Sequence, residues 1–376
     1  MLYHARQKKI GFTEYLQFLS HEAGIVYSNC LVTFWRIWRK KGVWLSKTSM
    51  QKLIRNTNLH SQTVQGIIDK FYEAIESWRE TKKSNPNARM PKRRKWYFVI
   101  PYKSSAIRLI NGQLILSNGR GNEPTVFEWI YELPKVVSIS FNNGYRINAT
   151  YKDKAQEQVA GDDTAGIDLG EIHLAVARTQ NKTIIVNGRI LRSKRRYQNK
   201  VKAHFQRKIS NCKKRSRKWK TLIKAKSRVL NKLDNQINDI LHKQTTKLVS
   251  VLNQEGVKTV AIGDLRDLRQ NVDYGKRANQ KIHQMPSGQT RFMLTFKAKK
   301  LGMKVHIINE AYSTQTCPRC LKRYKPGGRL YKCRLCGFVY HRDGVGAINI
   351  RHKQMYKEYV PVVGDMTPPV GIRYAT

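Results

Sequence analysis

Acidic residues are scarce in this chain: 25 Asp and Glu stand against 72 Lys and Arg, a formal net charge of +47 over 376 residues. Such an excess repels itself in any compact state unless a polyanion neutralises it, and counterion release from nucleic acid turns the same excess into binding energy. A basic surface kept for solubility accounts for several units of charge, not for one of this size. Long apolar runs are missing too. No stretch approaches the ~20 apolar residues of a membrane span, and the opening MLYHARQKKIGFTEYL lacks the uninterrupted apolar core of a secretory signal. Nor are there cysteines for a disulfide framework. Four of the six lie within residues 317–336 as two CxxC pairs, which is metal-site usage in a reducing compartment. Cys30 and Cys212 stand alone and read as small apolar core residues. The chain has no internal repeat and no long low-complexity tract, and its length predicts two or three packed units.

From His21 to about Thr81 apolar residues recur at helical spacing, as in Val64, Ile67, Ile68, Phe71, Ile75 and Trp78, with Ser61 placed as an N-cap. Within this stretch Trp35, Trp38 and Trp44 interleave with Arg36, Arg39, Lys40 and Lys41. That pattern suits base stacking beside phosphate contact, and equally a helix core whose face the spacing does not orient. Around Asn85, Pro86 and Asn87 a connection is expected. The runs WYFVIPY, AIRLI and QLILS, KVVSISF and YRINATY then read as short strands, with Asn111-Gly112 and Asn143-Gly144 as hairpin turns. A third unit begins near Ala165. Two or three strands are followed by residues 189–232, which carry nineteen Lys or Arg and no acid. Helical spacing continues through Leu233, Ile237, Ile240, Leu241 and Leu248, so a long basic helical hairpin is expected; a merely solvated helix pair would carry balancing acids. The strand KTVAIG, a helix near residues 290–301, the strand KVHIINE and a final helix from about Asp343 complete an order typical of an RNase H-like mixed sheet flanked by helices. The Pro-rich tail PVVGDMTPPVGIRYAT reads as irregular.

Cys317, Cys320, Cys333 and Cys336 can close a tetrahedron around Zn2+. With no open position such a metal is structural, and on so short a segment its binding is largely folding energy. The carboxylates are informative because each must persist amid phosphate-binding charge. Asp168 lies in the strand GIDLG, Glu310 ends KVHIINE, and Asp343 follows the cysteine pairs in HRDGVGAINI. An acid in or ending an apolar strand is costly unless a metal or hydrogen bond compensates it. Singly, each would read as a cap or an ion-pair partner; together, they suit a site for two Mg2+ ions ~3.5–4 Å apart.

GIDLG, the basic insert, TVAIGDL, STQTCPRC, CRLCG and HRDGVGAINI occur in the order of TnpB, the transposon-encoded RNA-guided DNA endonucleases, which this chain resembles specifically over residues 165–350 and by layout before that. Fanzor proteins and type V CRISPR effectors are related to the same family. The resemblance implies an α+β multidomain protein. It would have a wedge β-barrel from residues 1–20 and 91–162, a helical recognition lobe over 21–90, and a RuvC-like nuclease domain over 163–315 with its basic helical insert at 189–254. A zinc ribbon over 316–340, the end of RuvC at 341–358 and the tail at 359–376 would follow. It also implies a catalytic set of Asp168, Glu310 and Asp343 holding two Mg2+, structural Zn2+ on the four cysteines, and a guide RNA from the transposon end. Target DNA would be cut beside a short flanking motif read by a monomeric protein with its RNA. Arg195, Arg196, Lys213, Lys214, Arg215, Arg217, Lys218 and Lys220 on the insert, with Arg36 and Lys40 in the helical lobe, are the candidate nucleic-acid contacts. Two positions depart from the family pattern. Gly263 stands where the family places its second catalytic Glu; Asp264 beside it faces the opposite side of a strand, so Glu310 is the substitute, similar to the rearranged site of some TnpB and Fanzor lineages. Val345 stands where many relatives have Asn. A nuclease-inactive RNA-guided binding protein, a DDE-type transposase and a zinc-ribbon RNA-binding factor remain alternatives. A bacterial cytoplasmic location is expected, or a nuclear one for a eukaryotic or viral relative, since KRSRKWK serves as a nuclear signal or as phosphate contacts.

Overall fold

The first long helix starts earlier than its apolar spacing suggests. Thr13, in extended conformation, accepts a hydrogen bond from the Leu16 amide (3.1 Å), and Glu14 occupies the positive end of the first turn. In the computed structural model, which describes residues 2–93, 97–153, 161–265, 273–362 and 367–372, the chain divides into two compact units, Tyr3–Asp153 and Lys154–Thr376.

The first unit contains β1 (Leu2–Ile10), α1 (Glu14–Lys41), α2 (Lys47–Leu53), α3 (Ser61–Ser84), β2 (Ile100–Tyr102), β3 (Ile107–Ile110), β4 (Gln113–Leu116), β5 (Thr125–Glu128), β6 (Val136–Phe141) and β7 (Tyr145–Asp153). The cap of α3 is His60, whose Nδ1 accepts from the Gln62 amide, so Ser61 is the first helical residue and not the cap expected of it. The strands pair as two sheets, β1-β7-β6-β2 and β3-β4-β5. Both share one core with the helices, in which Phe34, Phe71, Tyr102 and Tyr145 are fully buried. Asn111 and Gly112 both take positive φ between β3 and β4, the geometry a two-residue hairpin demands. Of WYFVIPY, only its end forms strand β2; Trp96 lies outside the described residues. Cys30 is fully buried in this core.

The second unit is built on a six-stranded mixed sheet. Its strands are β8 (Asp163–Leu169), β9 (His173–Arg178), β10 (Thr183–Asn187), β11 (Val257–Asp264), β12 (Lys304–Asn309) and β15 (Val370–Ile372), in the order β12-β11-β8-β9-β10-β15. β8, β9 and β10 run antiparallel in succession; β11 and β12 extend the sheet in parallel from β8. The helices are α4 (Arg189–Ser210), α5 (Arg217–Gln254), α6 (Lys276–Gln284), α7 (Ser287–Lys300) and α8 (Arg342–Tyr356), and a small hairpin of β13 (Leu330–Lys332) and β14 (Val339–His341) precedes α8. The basic hairpin is α4 and α5. Residues 217–232 of α5 bury no side chain, whereas Leu233, Ile237, Ile240, Leu241 and Leu248 seat its second half on the core. Two sequence readings are corrected here. The tail is not wholly irregular, because β15 adds a parallel edge to β10 and buries Ile372 against the sheet core. Cys212 is no core residue; it lies half-exposed in the turn after α4 and its thiol donates to the Lys208 carbonyl.

Candidate active site and metal centres

Strand register explains which carboxylates can meet. Ile167 of β8 aligns with Ile262 of β11, and Gly263 aligns with Ile308 of β12. The next residue after Ile167 is Asp168, so Asp168, Gly263, Ile308 and, two residues on, Glu310 share one face of the sheet, while Asp264 points to the other. α8 covers the first face. It lies close to β8 because Gly166 has no side chain: a Cβ there would overlap the Ala347 carbonyl. Arg351 fastens the contact, donating from Nε to the Thr164 carbonyl (2.6 Å) and from Nη2 to Asp163 (2.9 Å). Gly346 of α8 abuts Asp168, whose Oδ2 would stand 2.6 Å from an added Cβ.

The Glu310 carboxylate fills the space above Gly263. A Cβ on Gly263 would overlap Glu310 Oε2 and meet Ile350 Cδ1 at 3.0 Å, so Gly263 and Glu310 are complementary. The loop carrying Glu310 is pinned by the buried Asn349 of α8, whose Nδ2 donates to the carbonyls of Ser313 (2.6 Å) and Thr316 (2.8 Å). On the opposite face Asp264 is engaged by Arg291 of α7, Nη1 to Oδ1 2.6 Å.

The electrostatics of this cluster differ from one carboxylate to the next. Burial, reinforced by the charges of Glu310 and Asp343, pushes the Asp168 carboxyl well above the usual range, and Arg342 offsets this only in part. Burial and then Asp264 push Glu310 up to about 7. Its Oε2 is buried with no hydrogen-bond partner among the described residues. Asp343, near the N-terminus of α8, differs. Burial works to raise it, yet the His173 hydrogen bond (Nδ1 to Oδ2, 2.8 Å) and the positive neighbourhood of His341 and Arg329 hold it below the usual carboxylate value. The sequence reading missed His173 as a partner of Asp343; a lone His opening an apolar strand carries no signal without the fold.

The four cysteines form a second centre. Cys317 and Cys336 Sγ are 3.6 Å apart, as are those of Cys320 and Cys333, close to the roughly 3.8 Å between thiolates on one tetrahedral ion with ~2.3 Å bonds. Gly337 takes a positive φ in the second knuckle. Cys317, Cys333, Tyr331 and Tyr340 pack with Val345 and Ile348 of α8, and β14 runs straight into the helix that carries Asp343.

The amino-acid pattern and this geometry both find relatives. Residues 146–269 match the OrfB_IS605 family, described as a probable transposase, and residues 288–350 match the Cas12f1-like TNB domain. The TnpB-like protein MJ0751 of Methanocaldococcus jannaschii is 30% identical over 156 residues, covering 41% of this chain and 54% of that protein. The chain is similar to the TnpB-like proteins and to Cas12f1. The endodeoxyribonuclease Cas12f1 of Sulfoacidibacillus thermotolerans is 24% identical over 231 residues, 59% of this chain and 53% of that one, so the alignments span about half the length of these two relatives. The fold agrees with the Cas12f1 chain of a Cas12f1-sgRNA-target DNA complex, at a TM-score of 0.63 and 13% identity over 91% of this chain and 82% of that one. It also agrees with the mini-RNA-guided endonuclease CRISPR-Cas_phi3, at 0.58 and 9% over 98% and 94%.

The basic candidates fall into three places. Lys213, Lys214, Arg215, Arg217, Lys218 and Lys220 are exposed around the turn of the α4–α5 hairpin. Arg195 and Arg196 line a cavity of about 480 Å³ together with Gly170, Lys200 and Lys281, at the end of β8. Arg36 and Lys40 line a separate hollow in the first unit, beside Trp35. The helix-core reading of these tryptophans holds for Trp35 and Trp38. Trp35 and Trp38 stack on each other (4.8 Å) and pack against the core, and Trp35 also lines the basic hollow. Among the described residues no helix is long and apolar enough to cross a membrane.

Proposed function

We propose that the chain is an RNA-guided DNA endonuclease of the TnpB type, whose RuvC-like site is formed by Asp168, Glu310 and Asp343. The observation that carries this reading is the seating of the Glu310 carboxylate over Gly263, its Oε2 buried with no hydrogen-bond partner among the described residues, on the sheet face it shares with Asp168. A carboxylate oxygen with no hydrogen-bond partner among the described residues, beside a second carboxyl pushed up by burial and then by the charge of the first, fits a site completed by divalent cations. Bound there, two Mg2+ ions would activate a water and stabilise the leaving oxygen of the cut phosphodiester. The chain's own contribution is placement. Gly166 and Gly346 bring α8 against Asp168, Asn349 holds the Glu310 loop, and His173 keeps Asp343 ionised and oriented.

The four cysteines would bind Zn2+ structurally, as a ribbon bracing α8. The exposed cations of the α4–α5 hairpin would hold the guide RNA and its heteroduplex by the backbone, leaving sequence recognition to base pairing. The first unit, with two sheets around one core and a basic hollow beside Trp35, would serve as wedge and helical lobe and read the flanking motif. Transposon origin of the guide and a monomeric complex belong to the same reading.

The test is to purify the protein, sequence the RNA that accompanies it, and assay cleavage of matched DNA with Mg2+. Asp168→Ala or Asp343→Ala should abolish cutting while guide-dependent binding persists. Near wild-type cutting by either variant refutes the site; absence of a discrete RNA refutes guidance.

A further inference from the structure

Beside the carboxylates lies a second constellation that the nuclease reading does not use as a whole. His173 opens β9, His341 closes β14, and Asp343 is the second residue of α8, so the sheet, the cysteine hairpin and the last helix each contribute one group. One ligand atom from each lies within 4.8 Å of the others. His173 Nδ1 is 2.8 Å from Asp343 Oδ2, and the two imidazoles meet at 4.9 Å with their planes 61° apart. Donor atoms on one tetrahedral ion with ~2.0–2.1 Å bonds stand about 3.3 Å apart, which falls between the 2.8 Å of His173 Nδ1 to Asp343 Oδ2 and the 4.8 Å that bounds the three groups. His341 Nδ1 faces the Gly344 amide at 3.4 Å, a long cap contact that leaves Nε2 for a ligand.

We propose that His173, His341 and Asp343 form a transition-metal site that takes Zn2+, Co2+ or Ni2+ in preference to Mg2+. Two imidazoles and one carboxylate are a borderline-soft set; Mg2+ favours oxygen ligands and octahedral hydration, whereas the later first-row ions bind imidazole strongly. The nearby Arg329, whose Nη1 is 3.5 Å from Asp343 Oδ2, opposes any cation here, so the nitrogen ligands have to supply the selectivity. Because Asp343 belongs to both sets, occupancy of this site withdraws it from the Mg2+ pair. That corollary, unlike the site, rests on the nuclease reading.

The test uses the full chain with the four cysteines already filled by Zn2+. Titration with Co2+ should reveal one further ion per chain, with visible ligand-field absorption and no thiolate charge-transfer band. His341→Asn keeps a capping side chain but removes the imidazole. It should weaken Co2+ binding by about 100-fold or more, exceeding the 10–100-fold typical of losing a ligand's hydrogen-bond partner. Should that variant unfold, nitrogen-detected imidazole spectra of the wild-type protein decide, since Zn2+ should shift the ring signals of His173 and His341 together. No further Co2+ equivalent, unchanged affinity in folded His341→Asn, or unshifted rings overturns the site. Excess Zn2+ should also inhibit Mg2+-dependent cutting, with relief by added Mg2+. Co2+ binding with no such inhibition upholds the site and counts against the use of Asp343 in cleavage.

Discussion

Placing a methyl group on Gly263 is the most discriminating single perturbation of the proposed nuclease centre. The backbone at Gly263 does not occupy the left-handed region, so Ala costs nothing in φ; what it meets is Glu310 Oε2, in overlap, and Ile350 Cδ1 at 3.0 Å. The carboxylate has to retreat by about 1 Å to reach ordinary contact, and a misplacement of that size at a reacting centre costs roughly 100-fold in rate. Gly263→Ala should therefore cut about 100-fold more slowly in a single-turnover assay with Mg2+, while melting close to wild type and binding guide and target normally. Glu310→Gln, which keeps size but removes the charge Mg2+ requires, should stop cleavage. The double variant Gly263→Glu with Glu310→Ala should recover part of the activity, since truncating Glu310 frees the space a longer side chain at 263 must enter. Asp264→Asn should retain most activity, losing chiefly its pairing with Arg291 on the opposite face. Wild-type cutting by Gly263→Ala, or full cutting by Glu310→Gln, would refute the reasoning. Loss of cutting in Asp264→Asn alone would move the ligand to the face rejected here.

Three further outcomes are expected. Zinc analysis should find about one ion per chain that depends on the four reduced cysteines, apart from any held by His173, His341 and Asp343, and Cys317→Ser or Cys336→Ser should destabilise the second unit and lower cleavage through α8; a metal-free, fully stable protein would exclude the ribbon. Glu310 is held up to about 7, above its unfolded value, so its contribution to the stability of the Mg2+-free protein is greatest below the unfolded pKa of about 4.3 and is lost as pH rises through about 7. Asp168 acts in the same sense and Asp343 in the opposite one. Melting curves from pH 5.5 to 8 without Mg2+ should be flatter for Glu310→Gln than for wild type, and the Mg2+ needed for half-maximal cutting should rise as pH falls below about 7. Changing Lys213, Lys214, Arg215 and Arg217 together to Gln should shrink the slope of log K against log salt by up to ~0.9 per lost duplex phosphate contact; an unchanged slope would show that these exposed cations only face solvent.

Much of the second unit was legible because its signals are local. Alternation within a strand was enough to turn Asp264 to the face opposite Asp168, since a period of two needs no tertiary knowledge. The CxxC spacing foretold four sulfurs around one point for the same reason. Other features failed through their dependence on distant partners. β15 is three residues beside two prolines, and only its pairing with β10 makes it a strand. Cys212 looked apolar in composition but falls in a turn, where its neighbours do not bury it. The early start of α1 was readable from Thr13 followed by Glu14, a cap signal hidden by attention to apolar spacing. His173 and Asn349 could not have been chosen from the sequence, because their partners lie 170 and 36 residues away.

The order of these parts along the chain sets an order in time. Synthesis and folding proceed from the N-terminus, so the first unit, β8 with Asp168 and the basic α4–α5 hairpin all emerge before β11 and β12 exist. Glu310 follows, then the cysteine hairpin, and only then α8 with Asp343, the helix that covers Asp168. A growing or prematurely terminated chain therefore acquires the charge to grip nucleic acid, and Asp168, well before it holds the full set of carboxylates proposed to cut it.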